Sequence, residues 1–449
     1  MAQTKDILEK ALPSGRVFFD FSEWHDYTRD AAEIIHVPEA LFFAESEADV
    51  IFAVRVCREH DIPVIFRGAG TGYTGGAVAV EGGLMLSVER MKEIHIDADA
   101  KSAIVGPGAI TGDILDKAAE HGLFYPPDPA SYRESTIGGN LAENAGGLRC
   151  KKYGVTKDYI ISARGVNADG NFVEVDNMSP FGLCDVLIGS EGTLFAFTEI
   201  TLRLIDLPRP GKTILATFDD SVKAARVVAD IMATGIIPSI MEFMDGDAIA
   251  CTNEFDSANK IQDCEALLLI ETDGVHGNDE AVRIEEICNR HAPALLRLTT
   301  DKAESERLWL TRRNLSNAVK SSAAVKTAED VCVPPSRLPE LVEFVKELHD
   351  TLGIRVNCYG HAGDGNLHVN FLLSEDTEAG RAIAERGVSE LFDRTLALNG
   401  TLTGEHGIGI TKKEFLRWEF DEDTLRFMMR LKRSLDTGGV FNPGKIFSE

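Results

Sequence analysis

Residues 67–78 read RGAGTGYTGGAV. Five glycines, Gly68, Gly70, Gly72, Gly75 and Gly76, follow a short apolar strand, IPVIF, at 62–66. Gly70 to Gly75 formally match GxGxxG, the dinucleotide fingerprint, which requires a helix straight after the glycines. The residues that follow, GAVAVEGGLMLSVERM, are interrupted by Gly82 and Gly83, and LMLSV reads as another strand. The Rossmann reading therefore fails on context. A strand–glycine loop–strand still suits a phosphate, because successive backbone N–H groups can turn toward one anion as a nest. A plain surface turn is the weaker account of five glycines beside Arg67.

Working outward, 449 residues with 44% hydrophobic content exceed one ordinary core and predict two domains. No apolar run reaches the roughly 18 residues of a membrane-spanning helix. The first residues, MAQTKDILEKALPSGRVFF, have mixed charge and no apolar signal core, so no secretion signal is expected. A net charge of −26 argues against nucleic acid or an anionic lipid surface as partner. The eight cysteines form no CxxC pair, which argues against a zinc ribbon or a ligated iron–sulfur cluster. They read as reduced, mostly buried thiols.

Before the glycine loop, residues 1–36 read as a helical entry segment. VPEALFFAES predicts a strand, and Ser46 then caps a helix with apolar residues at Val50, Ile51, Val54 and Cys57. After the loop come a hairpin (IHID, SAIV) and a helix from Thr111 closed by Gly122. A second glycine-rich region, residues 125–154, reads as loop-rich and too long for a plain connection. A further hairpin and Gly189-Ser-Glu-Gly192 precede a strand of alternating residues. Proline and glycine at 207–211 mark a boundary. Beyond it a strand–helix–strand–strand–helix pattern predicts an α+β domain with an antiparallel sheet and helices on one face.

The chemistry-bearing residues lie late. GIRVNCYGHAGDGNLHVN, residues 353–370, places His361 and His368 around a Gly-Asp-Gly turn. Seven apart on a straight strand, they would face opposite ways; the turn can fold them toward one point. TGEHGIG then brings Glu405 and His406. Two imidazoles and a carboxylate make a three-ligand set that suits zinc, with manganese or iron as alternatives. Ordinary satisfied polar histidines are the competing account, and the residues alone leave the two even. Arg312 and Arg313, on a helix after Trp309, read first as a solvated face.

PVIFRGAGTGYTGGAV, PPDPASYRESTIGGNLAENAGG and GSEGTLFAFTEITLRL, in that order, resemble the FAD-binding domain of the vanillyl-alcohol-oxidase flavoprotein superfamily. GHAGDGNLH with GEHGIG is similar to the FAD-dependent D-2-hydroxyacid dehydrogenases: D-lactate dehydrogenase, the glycolate oxidase flavin subunit and D-2-hydroxyglutarate dehydrogenase. The resemblance implies an α+β fold: an N-terminal segment at 1–36, an FAD-binding domain at 37–208, a cap domain at 209–420 and a C-terminal return at 421–449. The cap would be an antiparallel sheet flanked by helices. It also implies that Arg67, Gly68, Gly70, Thr71, Gly72, Gly75 and Gly76 hold the pyrophosphate. Asp128, Gly138, Gly139, Asn140, Asn144, Gly146, Glu191, Gly192 and Asn442 would line the flavin cleft. Thr71 stands where some relatives attach FAD through a histidine, so the flavin is expected to be non-covalent. By the same resemblance a divalent metal sits on His361, His368 and Glu405, His406 is the general base, and Arg312, Asn370 and Lys326 bind the substrate. D-lactate is the first expected substrate, with glycolate and D-2-hydroxyglutarate as alternatives. A non-catalytic flavin carrier subunit and a metallohydrolase are the competing classes. The expected partner is an external electron acceptor: a quinone, a cytochrome, an electron-transferring flavoprotein or an iron–sulfur subunit. A homodimer is compatible. The expected location is cytoplasmic, with peripheral membrane association through the acceptor.

Overall fold

The computed structural model describes residues 2–177 and 182–447. The chain forms two compact units. One comprises Met1–Gly146, Val155–Leu207 and Glu405–Glu449; the other comprises Gly147–Gly154 and Pro208–Gly404. These boundaries differ from those expected. The C-terminal return begins at Glu405, ahead of 421, and a short piece of the expected FAD domain belongs to the second unit.

In the first unit the glycine stretch leaves a four-stranded sheet. Ala40–Phe43 and Val64–Arg67 both run parallel to Leu84–Ser87 between them, and Val17–Phe18 closes one edge. Ala40–Phe43 and Leu84–Ser87 are buried along their whole length, as strands covered on both faces must be. The helix Glu47–Glu59 starts where the Ser46 hydroxyl accepts the Asp49 N–H at 3.3 Å. Its stripe Val50, Ala53, Val54 and Cys57 packs with Phe42, Val64 and Leu84. A strand, and no helix, follows Gly76 and the two glycines beyond it. The second sheet is antiparallel, in the order Ile94–Asp97, Ser102–Val105, Ala196–Arg203, Ile160–Val166, Phe172–Asp176.

Two expectations need correction here. Residues 1–36 are helical only over Ala2–Ala11; the rest is a short strand, a 3-10 turn at His25–Thr28 and coil. The loop-rich reading of 125–154 missed the helix Ile137–Glu143. Gly138 and Gly139 are poor helix formers. Tertiary contacts outweigh that preference: Ile137 and Leu141 are fully buried, and a Cβ at Gly138 would lie 2.7 Å from Pro107 Cβ.

The second unit is a seven-stranded antiparallel sheet. Its order is Leu295–Thr299, Pro210–Phe218, Ala266–Asp273, Ile240–Asp245, Arg355–His361, Asn366–Leu373, Val325–Cys332. Helices cover both faces, where one was expected. Leu267 and Leu269 pack with Ala248, Ile249, Leu308, Trp309 and Leu315. Leu268 and Ile270, on the opposite face by strand alternation, are equally buried. Helices Ser221–Ala233, Gly277–Arg290 and Leu338–Leu352 pack there.

Candidate functional site

The sheet of the second unit decides where the histidines go. Tyr359 lies opposite His368, His368 opposite Asp330, and Glu242 opposite His361. Residues opposite one another across paired strands share a face. Tyr359 and His361, two apart on one strand, share it too, so all five point the same way. The separation of seven loses its force because the histidines occupy two strands joined by a turn. Their rings are 5.4 Å apart and nearly perpendicular. Gly365 makes that turn with φ +81°, and a Cβ there would lie 1.8 Å from the Val333 carbonyl oxygen.

Glu242 organises the cluster and was not singled out from the sequence. Its side chain is fully buried. One oxygen, Oε1, accepts a hydrogen bond from His361 Nδ1 at 2.7 Å; the other accepts Arg312 Nε at 2.6 Å. Burial pushes its pKa up, but the charges of Arg312 and His361 more than offset this and hold it below the ordinary carboxylate range. With Nδ1 held by a carboxylate, Nε2 is the nitrogen His361 would offer to a metal ion. The signal in the sequence was one acid in the middle of IMEFMD, where every neighbour but the last is apolar.

Glu405 follows directly on Gly404, the last residue of the same unit. The Gly404 N–H donates to Asp330 Oδ2 at 2.8 Å, and Thr403 Oγ1 donates to the same oxygen at 3.3 Å. A Cβ at Gly404 would fall 1.8 Å from Asn366 Nδ2. That peptide fixes the start of the TGEHGIG segment. His361, His368 and Glu405 each offer one ligand atom, all within 4.8 Å of one another. Two nitrogens and an oxygen at this spacing fit a divalent ion.

The structure places the expected substrate residues as follows. Arg312 is buried, against the solvated-face reading, with its guanidinium bound to Glu242 and 5.2 Å from the Tyr359 ring centre. Asn370, on the histidine face of its strand, donates to Asn357 Oδ1 at 2.9 Å. Lys326 donates to Ser316 Oγ at 3.2 Å.

The first unit gathers the other set. Arg67, expected at the pyrophosphate, is a buried brace. Its Nη1 donates to the carbonyls of Arg29 (2.7 Å) and Ala77 (3.1 Å), and Nη2 to that of Asp26 (2.9 Å). Gly70, with φ +71°, wraps over this guanidinium, where a Cβ would sit 2.0 Å from Nη2. A Cβ at Gly68 would fall 2.1 Å from Thr136 Oγ1, so the two glycine-rich stretches meet. Asn140 donates to Thr111 Oγ1 (2.7 Å), and Asn144, at φ +53°, accepts from the Lys157 N–H (3.0 Å). Both side chains hold the scaffold. Asp128 is buried. Asn442 bridges the carbonyls of Gly76 and Glu191, each at 2.8 Å, and Lys445 Nζ donates to the carbonyls of Gly75 and Val78, each at 2.6 Å. Burial pulls the Lys445 pKa down to about 8.

These residues fit a cofactor with a polar edge. A Cβ at Gly72 would meet nothing within 4 Å, so that backbone faces open space. Asn442 Oδ1 is buried without a donor among the described residues, and such acceptors are normally satisfied.

Comparison with known proteins gives this arrangement its context. Residues 38–176 match the model of an FAD binding domain, and residues 207–446 match that of the FAD linked oxidases, C-terminal domain. The chain belongs to the FAD-linked oxidases. Glycolate oxidase subunit GlcD of Bacillus subtilis (strain 168) is 34% identical to this oxidase over 99% of the chain and 97% of the relative. A D-lactate dehydrogenase of Anaerostipes hadrus is 32% identical, again over 99% and 97%. The mitochondrial D-lactate dehydrogenase [cytochrome] of Arabidopsis thaliana is 29% identical over 99% of this chain and 79% of its own. Among solved structures, p-cresol methylhydroxylase with substrate bound superposes with a TM-score of 0.80 at 15% identity, covering 99% of this chain and 96% of that one. The architecture is therefore of the vanillyl-alcohol-oxidase type. This FAD-linked oxidase is an oxidoreductase of the glycolate oxidase and D-lactate dehydrogenase type, with FAD as its cofactor. Among the described residues, no helix is long and apolar enough to cross a membrane.

Proposed function

We propose that this FAD-linked oxidase oxidises a D-2-hydroxyacid, D-lactate first, to the 2-oxoacid with the help of a divalent metal on His361, His368 and Glu405. The observation that carries the reading is the convergence of those three ligand atoms within 4.8 Å, with His406 one residue beyond the third. When bound, FAD would supply the two-electron acceptor, and a divalent ion would supply the Lewis acidity that eases deprotonation of a hydroxyl. The chain supplies the rest. Glu242 holds His361 by Nδ1, so that Nε2 is the nitrogen turned to the ion. His406 accepts the proton of the 2-hydroxyl on an imidazole nitrogen. Arg312 shares its guanidinium between Glu242 and the substrate carboxylate, for which its planar donors suit it, and Asn370 steadies the same end. Zinc suits the nitrogen-rich donor set, with manganese or iron next. The flavin is held without a covalent bond, since Thr71 offers no imidazole. Electrons leave to an external acceptor.

The test is anaerobic bleaching of the flavin by a panel of D- and L-2-hydroxyacids that includes glycolate and D-2-hydroxyglutarate. D-Lactate is expected to bleach it, L-lactate to fail, and chelation or His406→Ala to stop bleaching while flavin stays bound. Bleaching that survives both rigorous chelation and His406→Ala would sink the metal and the base. Glycolate outrunning D-lactate would shift the substrate to that of the GlcD relatives.

A further inference from the structure

The loop 406–409 rests on a buried carboxylate. Glu191 is 6% exposed, and its two oxygens accept consecutive backbone N–H groups: Ile408 to Oε1 at 2.7 Å and Gly409 to Oε2 at 2.6 Å. The loop approaches closely enough to exclude side chains. A Cβ at Gly407 would lie 2.8 Å from Glu191 Oε1 and 3.0 Å from Glu143 Oε2, and one at Gly409 would lie 2.0 Å from the Thr74 carbonyl oxygen. Both glycines take positive φ, +86° and +52°. On the other side the His406 ring stacks on Tyr73, centroids 5.0 Å apart and planes 22° apart. The Ile410 N–H donates to the Thr74 carbonyl at 2.8 Å. His406 thus stands on a segment clamped between Glu191 and the far end of the glycine loop.

We infer that Glu191 is a positioning residue for His406, its carboxylate holding the loop that carries the imidazole. The inference rests on the proposed role of His406. It moves Glu191 from the flavin contacts expected of it to the catalytic loop. The pairing is specific to a carboxylate, because only a carboxylate offers two acceptor oxygens to two successive amides. Burial and the neighbouring charge of Glu191 push Glu143 well above the ordinary carboxylate range, with Lys445 opposing. Burial also pushes Glu191 up, while the Ile408 and Gly409 amides and the charge of Lys445 pull it back.

Glu191→Gln replaces one acceptor with a donor facing an N–H, so one amide of the pair is released. The experiment compares wild type, E191Q, E191D, H406Q and E191Q/H406Q. It reads flavin content, the D-lactate dissociation constant and the flavin reduction rate under anaerobic rapid mixing, with hydrogen exchange at the amides of 407–410. E191Q is expected to slow reduction on the order of 100-fold, the cost of displacing a group by about 1 Å. Flavin content and D-lactate affinity should stay within about threefold, and E191D should recover part of the rate, as a residue acting through geometry alone would behave. The double variant should be no slower than H406Q, since two residues acting through one group do not add. Exchange at 407–410 should rise in E191Q, whatever the substrate. E191Q that loses flavin but reduces what it keeps at the normal rate would overturn the inference, as would losses that multiply in the double variant or unchanged exchange. Raised exchange in E191Q together with a normal rate in H406Q would uphold the clamp and remove His406 as base.

Discussion

At the scale of single residues, Glu242 carries more than any side chain named from the motifs. It is a buried charge with two cationic or proton-donating partners, Arg312 and His361. Removing one member of such a set strands the others. Glu242→Ala is expected to destabilise the fold by about 3–5 kcal/mol in urea titrations. Glu242→Gln, which keeps the shape, should fold but retain the proposed metal about 10–100-fold less tightly, read as metal content after dialysis against a weak chelator. A Glu242→Gln protein that keeps its metal as firmly as wild type would detach Glu242 from His361 in function. The sequence displayed the two histidines and Glu405 because glycines frame them. Glu242 was legible only as a lone acid in an apolar strand, and Arg67, the charge most exposed to view beside the glycine loop, proved to be a brace. A residue type beside a motif suggests a ligand; which atoms its polar groups meet is set by neighbours distant in the chain, here Arg29, Ala77 and Asp26.

At the scale of elements, the turn between strands Arg355–His361 and Asn366–Leu373 controls whether the histidines share a face. Gly365 has no room for a Cβ against the Val333 carbonyl and takes positive φ. Gly363, in the same turn, has ordinary φ, and its nearest neighbours would be 3.5 Å away, on Lys151. Gly365→Ala should therefore cost about 2 kcal/mol or more, with loss of the proposed metal, since both strain and displacement apply. Gly363→Ala should stay within about 1 kcal/mol of wild type. Thermal melts of the pair check this; equal losses would show that the turn is crowded throughout. The helix Ile137–Glu143 shows the reverse limit of sequence reading. Two adjacent glycines argued for loop, yet the close approach to Pro107 requires Gly138 and the buried Ile137 and Leu141 hold the turn. Local propensity differs by under about 1 kcal/mol per residue, so tertiary packing overrides it easily.

At the scale of the whole molecule, the chain closes on itself. Val440 and Phe441 lie in the core of the first unit with Phe42, Val64 and Leu84, and the Phe441 ring meets Phe66 edge-on at 4.8 Å. Phe441→Ala is expected to cost about 3–5 kcal/mol, and to release flavin, because Asn442 and Lys445 next to it brace the glycine loop. Trp418→Ala, at a 45% exposed side chain, should be close to neutral. Flavin retention and urea midpoints of the two variants check the contrast. The sequence by itself determined the class of fold, through three glycine-bearing segments that resemble the FAD-binding domain in order and a strand–helix pattern beyond residue 211, while the strand context after Gly76 excluded a Rossmann turn. The residues alone left His361, His368 and Glu405 open between a metal set and satisfied polar histidines, and the family resemblance implied the metal. Only the tertiary structure decided which side chains face one another. The register of antiparallel strands set Glu242 against His361 and Tyr359 against His368, and the return of residues 405–445 set His406 on Tyr73 and its loop on Glu191. Pairing between segments 119 residues apart, as for Glu242 and His361, or 217 apart, as for Glu191 and Ile408, is governed by the burial of whole faces, and no local spacing records it.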